Sequence, residues 1–199
     1  MIWSLPGGAG GLAVGLAIAA VMGAGRYRRS GEPAWIGRGQ WRLFAPIVAV
    51  AWAVLAPLGW WAAPAMGFSA VAGAAAVVDL EVHRLPNALV GASALVVAVT
   101  VGAAVVVTGD WGRAAAAAIG GAALFVGLLI VGLLGTFGGG DIKIGAVMGA
   151  VLGCWSWPAV FAGLVLGLVI SGLAGGLWIL VSGRGRKAHV PLGPGLVVG

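Results

Sequence analysis

LPNALVGASALVVAVTVGAAVVVTG, from Leu85 to Gly109, runs 25 residues without a charged side chain. A helix crosses the hydrocarbon of a bilayer in roughly 20 apolar residues, so this stretch is long enough for one complete span. The pattern repeats outward from it. Cutting the chain at its charges gives uncharged runs of 25 residues (Met1 to Gly25), 36 (Leu43 to Val78), 27 (Ala114 to Gly140) and 40 (Ile144 to Gly183). The runs of 36 and 40 each hold two spans, and turn residues divide them. Pro57, Gly59, Trp60, Trp61 and Pro64 interrupt the first, and Cys154-Trp155-Ser156-Trp157-Pro158 interrupts the second, with Trp where a membrane interface favours it. The expected fold is therefore all-α, a polytopic transmembrane helical bundle of seven full spans. A partial eighth starts after His189, where Val190 to Gly199 supplies only ten residues.

Composition excludes a soluble enzyme. Of 199 residues 61% are hydrophobic and 8% charged, too few charges to cover a globule without very large apolar patches. The net charge of +6 comes with no aromatic-interleaved basic domain, so no nucleic-acid partner is expected and the lipid bilayer is. The basic residues act instead as topology signals. With Met1 outside, the inside segments hold Arg26, Arg28, Arg29, Arg38, Arg42, Arg84, Lys143, Arg184, Arg186 and Lys187, and the outside segments hold only Arg113. The first apolar stretch has no basic residue before it, which favours a retained helix over a cleaved secretory signal. Residues 1–42 form a first span with a basic cytoplasmic loop, and residues 43–199 the main membrane domain. The single cysteine, Cys154, permits no intrachain disulfide and no Cys-rich zinc site, and it reads as a small buried thiol. The abundant glycines, spread through the spans, predict close helix approach through small-residue faces.

Five acids remain: Glu32, Asp79, Glu81, Asp110 and Asp141. Glu32 and Asp110 fall in loops, and Glu81 is expected to be solvated just past a helix end. Asp79 directly follows the 36-residue run, and Asp141 follows the 27-residue run through Gly138, Gly139 and Gly140. Both lie at the cytoplasmic boundary of the expected topology, where an ionisable group is costly and usually functional. Two carboxyls sharing a site do not both ionise readily, so one stays protonated while the other is anionic. Such a pair activates water against a peptide carbonyl without a metal or cofactor. The glycine run would let backbone pass close to a substrate strand.

The segment Asp79-Leu80-Glu81-Val82-His83-Arg84-Leu85-Pro86-Asn87 resembles the D-x5-[I/L]-P-N element of the type IV prepilin peptidases. Gly138-Gly139-Gly140-Asp141-Ile142-Lys143 resembles their G-x-G-D-x-K element, and Val190-Pro191-Leu192-Gly193-Pro194-Gly195 their C-terminal P-[F/L]-G-P element. The resemblance covers roughly Trp60 to Gly199. It implies a membrane aspartyl endopeptidase with Asp79 and Asp141 as catalytic residues, in the bacterial inner membrane with its active site at the cytoplasmic face. The implied substrate is a prepilin or pseudopilin, whose short basic leader is removed just before its apolar helix. Gly138, Gly139, Gly140, Lys143, Pro86 and Asn87 are implied as substrate-binding or supporting residues, with Lys143 favouring ionised Asp141 or contacting substrate, and Pro86 and Asn87 capping the helix they start. Many bacterial members carry a cysteine-containing methyltransferase domain after the first span. Here only Arg26 to Arg42 occupies that place, without a cysteine, so methyltransferase activity is not expected.

Two rivals share features with this expectation. The presenilin and signal-peptide-peptidase type also uses G-x-G-D, but its Pro-Ala-Leu element is absent here. A cation- or proton-coupled transporter using the same two carboxylates would place them near the bilayer midplane, often between repeated halves, and no repeat is visible.

Overall fold

Helices begin and end at the turn residues that divide the apolar runs. The computed structural model describes residues 4–25, 27, 38–82, 85–133 and 138–182. In chain order the helices are α1 (Ser4–Gly23), the short α2 (Arg38–Trp41), α3 (Phe44–Leu55), α4 (Ala63–Val82), α5 (Asn87–Thr108), α6 (Trp111–Leu133), α7 (Gly139–Gly153) and α8 (Trp157–Ser182). No strand occurs among the described residues. Two short 3-10 turns, Ala56–Leu58 and Trp60–Ala62, join α3 to α4 around Gly59, and Cys154 to Ser156 join α7 to α8. Trp60–Asp79, α5 and α6 are long and apolar enough to cross a membrane. The partial eighth span and the P-L-G-P element fall outside the described residues.

The outer surface is apolar, with Val106 86% and Leu133 79% exposed, as expected where lipid rather than water is the solvent. Helix α4 runs through the middle and touches α1, α3, α5 and α7. One core cluster joins Phe68 and Ala72 of α4 to Val97, Leu124, Ile144, Met148 and Val160. A second joins Ala70, Ala74 and Val78 of α4 to Trp41, Phe44 and Val48.

Small residues set the closest approaches. A Cβ built on Gly120 of α6 would lie 2.5 Å from the Gly149 carbonyl oxygen of α7, and one on Gly149 would lie 2.5 Å from the Gly120 oxygen. Only hydrogen fits between these two backbones, the membrane solution to helix association where burial of apolar surface gives no driving force. Gly15 of α1 meets Ala45 of α3 in the same way, with a Cβ-to-Cα approach of 2.5 Å. Cys154 is buried in a cluster with Trp61, Ala104, Val105 and Ala117.

Glu81 differs from expectation, while Asp110 lies in the turn between α5 and α6 as expected. Helix α4 does not stop at Asp79 but continues to Val82, so Glu81 is inside the helix and only 4% exposed rather than solvated. The stop comes instead before Pro86, whose ring disfavours helical backbone at the preceding residue. Asp110 caps α6: its Oδ1 accepts the Arg113 backbone N–H at 3.1 Å and its Oδ2 pairs with Arg113 Nε at 3.3 Å.

Candidate functional site

The segment after α4 and the start of α7 meet. Leu85 rests against Gly140 so closely that a Cβ at Gly140 would lie 2.9 Å from the Leu85 Cβ. On the other side of this contact the Lys143 ammonium donates to Asn87 Oδ1 at 3.1 Å, across 56 residues of sequence. Both of those side chains are exposed, so the bond adds about 1 kcal/mol or less to stability. Its use is positional, since it fixes the start of α5 to the first turn of α7.

Asp141 sits on α7, and Asp79 on α4, the helix that leads into the segment held against α7. Asp79 projects from the last turn of α4 and is 5% exposed. Among the described residues, its Oδ2 is a buried side-chain oxygen with no hydrogen-bond partner. An unsatisfied buried polar atom costs about 1–3 kcal/mol, which a chain keeps only where something other than stability is served. Asp141 occupies the first turn of α7, and its Oδ2 accepts the Gly138 backbone N–H at 3.3 Å. This satisfies one of the free N–H groups at a helix start and places negative charge at the positive end of the helix dipole. Outside the candidate spans, the Asp141 carboxyl is pushed above the usual carboxylate range by burial, with the Gly138 N–H acting in the opposite direction. Asp79 and Asp141 lie near enough for their carboxyls to interact electrostatically. Among the described residues no three His, Cys, Asp or Glu side chains gather into a metal-binding group.

The sequence matches the type IV leader peptidase family over residues 66–180. The chain belongs to that family. The matched segment is more than half of the 199 residues and contains Asp79, Asp141, Asn87 and Lys143. A leader peptidase acts on prepilins, and the apolar helices fit a protease that works in a membrane. No curated protein and no solved structure matches the chain.

The supporting residues of this family member behave differently from one another. Pro86 stands at the N-cap of α5 and its carbonyl accepts the Leu89 and Val90 N–H groups, while Asn87 is the first helical residue. Asn87 does not cap α5 through its side chain, which instead accepts from Lys143. Of the glycines, Gly140 is in close contact and Gly139 faces open space, while a Cβ at Gly138 would come within 3.3 Å of Asp141 Oδ2. A buried acid next to the site, Glu81, is absent from the motif reading. Its signal is Pro86 five residues on, which lets α4 run past Asp79 and carry Glu81 inside.

Proposed function

We propose that the chain is a membrane aspartyl endopeptidase that removes the basic leader of type IV prepilins or pseudopilins at the cytoplasmic face of the inner membrane, with Asp79 and Asp141 activating a water. Residues 43–199 carry the peptidase, and residues 1–42 its first span and basic loop. The observation that carries the proposal is the unpartnered buried oxygen of Asp79 within electrostatic reach of Asp141, both in the segment matched to the family.

The chemistry follows from a shared proton. One carboxyl is anionic and takes a proton from a water, whose oxygen attacks the scissile carbonyl carbon. The other, protonated, donates to the carbonyl oxygen and stabilises the charge that forms there. As the tetrahedral intermediate collapses, the C–N bond breaks and the amine leaves with a proton from the pair. Gly138, Gly139 and Gly140 leave room at the start of α7 for a substrate strand, and Lys143 and Asn87 hold the two acidic segments in register. A leader rich in Lys or Arg would be drawn locally to the carboxyls of Asp79 and Asp141, and its apolar helix would lie against the lipid-facing surface. Ten of the eleven Lys and Arg fall on one side if Met1 is outside and seven helices span, which supports the cytoplasmic placement. A transporter using the same acids is not favoured by membership in a peptidase family.

Co-expression with a candidate prepilin tests this by gel mobility. Asp79→Asn and Asp141→Asn should each leave the leader in place while the protein inserts normally, and full processing by either variant would overturn the proposal.

A further inference from the structure

Outside the matched segment, Tyr27 reaches the last turn of α4. The Tyr27 hydroxyl donates to Glu81 Oε2, 54 residues away. Trp41 Nε1 in turn donates to the Tyr27 oxygen at 3.3 Å, and the two rings meet edge-on with centroids 6.1 Å apart. Trp41 is 1% exposed and stands edge-on to Phe44, 6.2 Å away, within the core cluster that includes Val78 of α4. The Tyr27 oxygen is thus held between the Trp41 donor and a buried carboxyl, with its ring edge-on to Trp41, which is in turn edge-on to Phe44.

Glu81 follows Asp79 by two helical positions, which turns their side chains to opposite sides of α4. Glu81 therefore does not share the site of Asp79 and Asp141. What the two share is the last turn of the helix. Carbonyls of a last turn lack forward partners, and such turns open most easily. Asp79 is carried by this turn, and its own Oδ2 makes no bond that would hold it in place. Leu85 on Gly140 and Lys143 on Asn87 restrain the chain on the side facing α7. On the opposite side Tyr27 is a restraint, beside the packing of Val78 and Val82 into the cluster that holds Trp41 and Phe44.

We propose that Tyr27, held by Trp41 and bound to Glu81, is a positioning residue that fixes the last turn of α4 and so aims Asp79, which gives the chain before the matched segment a part in catalysis. The proposal rests on the peptidase assignment of Asp79 for its kinetic readout and on the hydrogen-bond chain for its structural one.

The test uses the full chain in lipid and a synthetic substrate with a basic leader ahead of an apolar helix. Tyr27→Phe removes one oxygen and keeps the ring contacts, so it should insert normally and lower kcat about tenfold with KM within about twofold. Glu81→Leu, which removes the acceptor, should also lower kcat, and adding Tyr27→Phe to it should slow it no further, because the bond between the two is already gone. Amide exchange at residues 79–82 should speed up about tenfold in Tyr27→Phe, a readout that needs no activity. Wild-type kcat in Tyr27→Phe, or a double variant whose loss is the product of the two single losses, would overturn the proposal. If the wild-type chain cuts no such substrate, the peptidase assignment fails, and unchanged exchange at residues 79–82 would then overturn the positioning role independently.

Discussion

Gly140→Ala and Gly139→Ala form a matched pair that separates two uses of the glycine run. The added methyl is identical and the positions are adjacent on α7. At Gly139 it meets nothing within 4 Å, and at Gly140 it arrives 2.9 Å from the Leu85 Cβ. Ordinary contact begins at 3.4 Å, so Leu85 and the start of α7 must part by about 0.5 Å or more. A Cβ cannot swing aside as the end of a long side chain does, and the displacement passes into the backbone that joins Asp79 to Asn87. Misplacement by about 1 Å costs about a hundredfold in rate, so half of that predicts a loss near tenfold in kcat for Gly140→Ala. The overpacking should also cost about 1–3 kcal/mol of stability. Gly139→Ala should instead retain wild-type kcat and gain up to about 1 kcal/mol from helix propensity. The assay is leader cleavage by the purified full chain, with melting followed in the same detergent. Wild-type kcat in Gly140→Ala would refute the packing account. An equal loss in Gly139→Ala, or a rise in KM confined to it, would show that the run serves backbone approach to substrate instead.

Three further outcomes follow from the same contacts. Asp79→Leu should raise stability by about 1–3 kcal/mol and with it the melting temperature, because an apolar side chain of similar shape replaces an unsatisfied buried oxygen; a drop in melting would show that the carboxyl has a stabilising partner. Lys143→Met and Asn87→Ala should each lower kcat a few-fold with little change in melting, and the double variant should match the single ones; multiplying losses would mean that the two side chains act separately. Gly149→Ala drives a methyl into the Gly120 carbonyl and should destabilise the α6–α7 contact by about 1–3 kcal/mol, and unchanged melting would contradict the packing described for that pair.

What the sequence makes legible is what local chemistry dictates. Pro57 to Pro64 and Cys154 to Pro158 end helices through backbone geometry, so α3, α4, α7 and α8 meet where those residues stand. Asp79 and Asp141 stand out because charges are scarce and each closes an apolar run. The Lys143–Asn87 bond is not legible, because only the fold brings residues 56 apart together. Adjacent to Asp141 in sequence, Lys143 invites pairing with that carboxylate, yet positions two apart on a helix face away from each other. Glu81 misleads for a related reason: treating the last apolar residue as the end of α4 leaves it in solvent, whereas the helix continues to Val82. Nor do three consecutive glycines reveal which one is crowded, since that depends on Leu85 arriving from another element.

The claim that two carboxyls work as one unit is tested most directly by single-turnover cleavage rates of Asp79→Asn, Asp141→Asn and the double variant, measured on the same substrate with insertion verified. Groups that share one proton and one water fail together, so all three variants should fall to the same residual rate. A single variant that keeps wild-type turnover, or a double variant slower by the product of the two single losses, would contradict the pair.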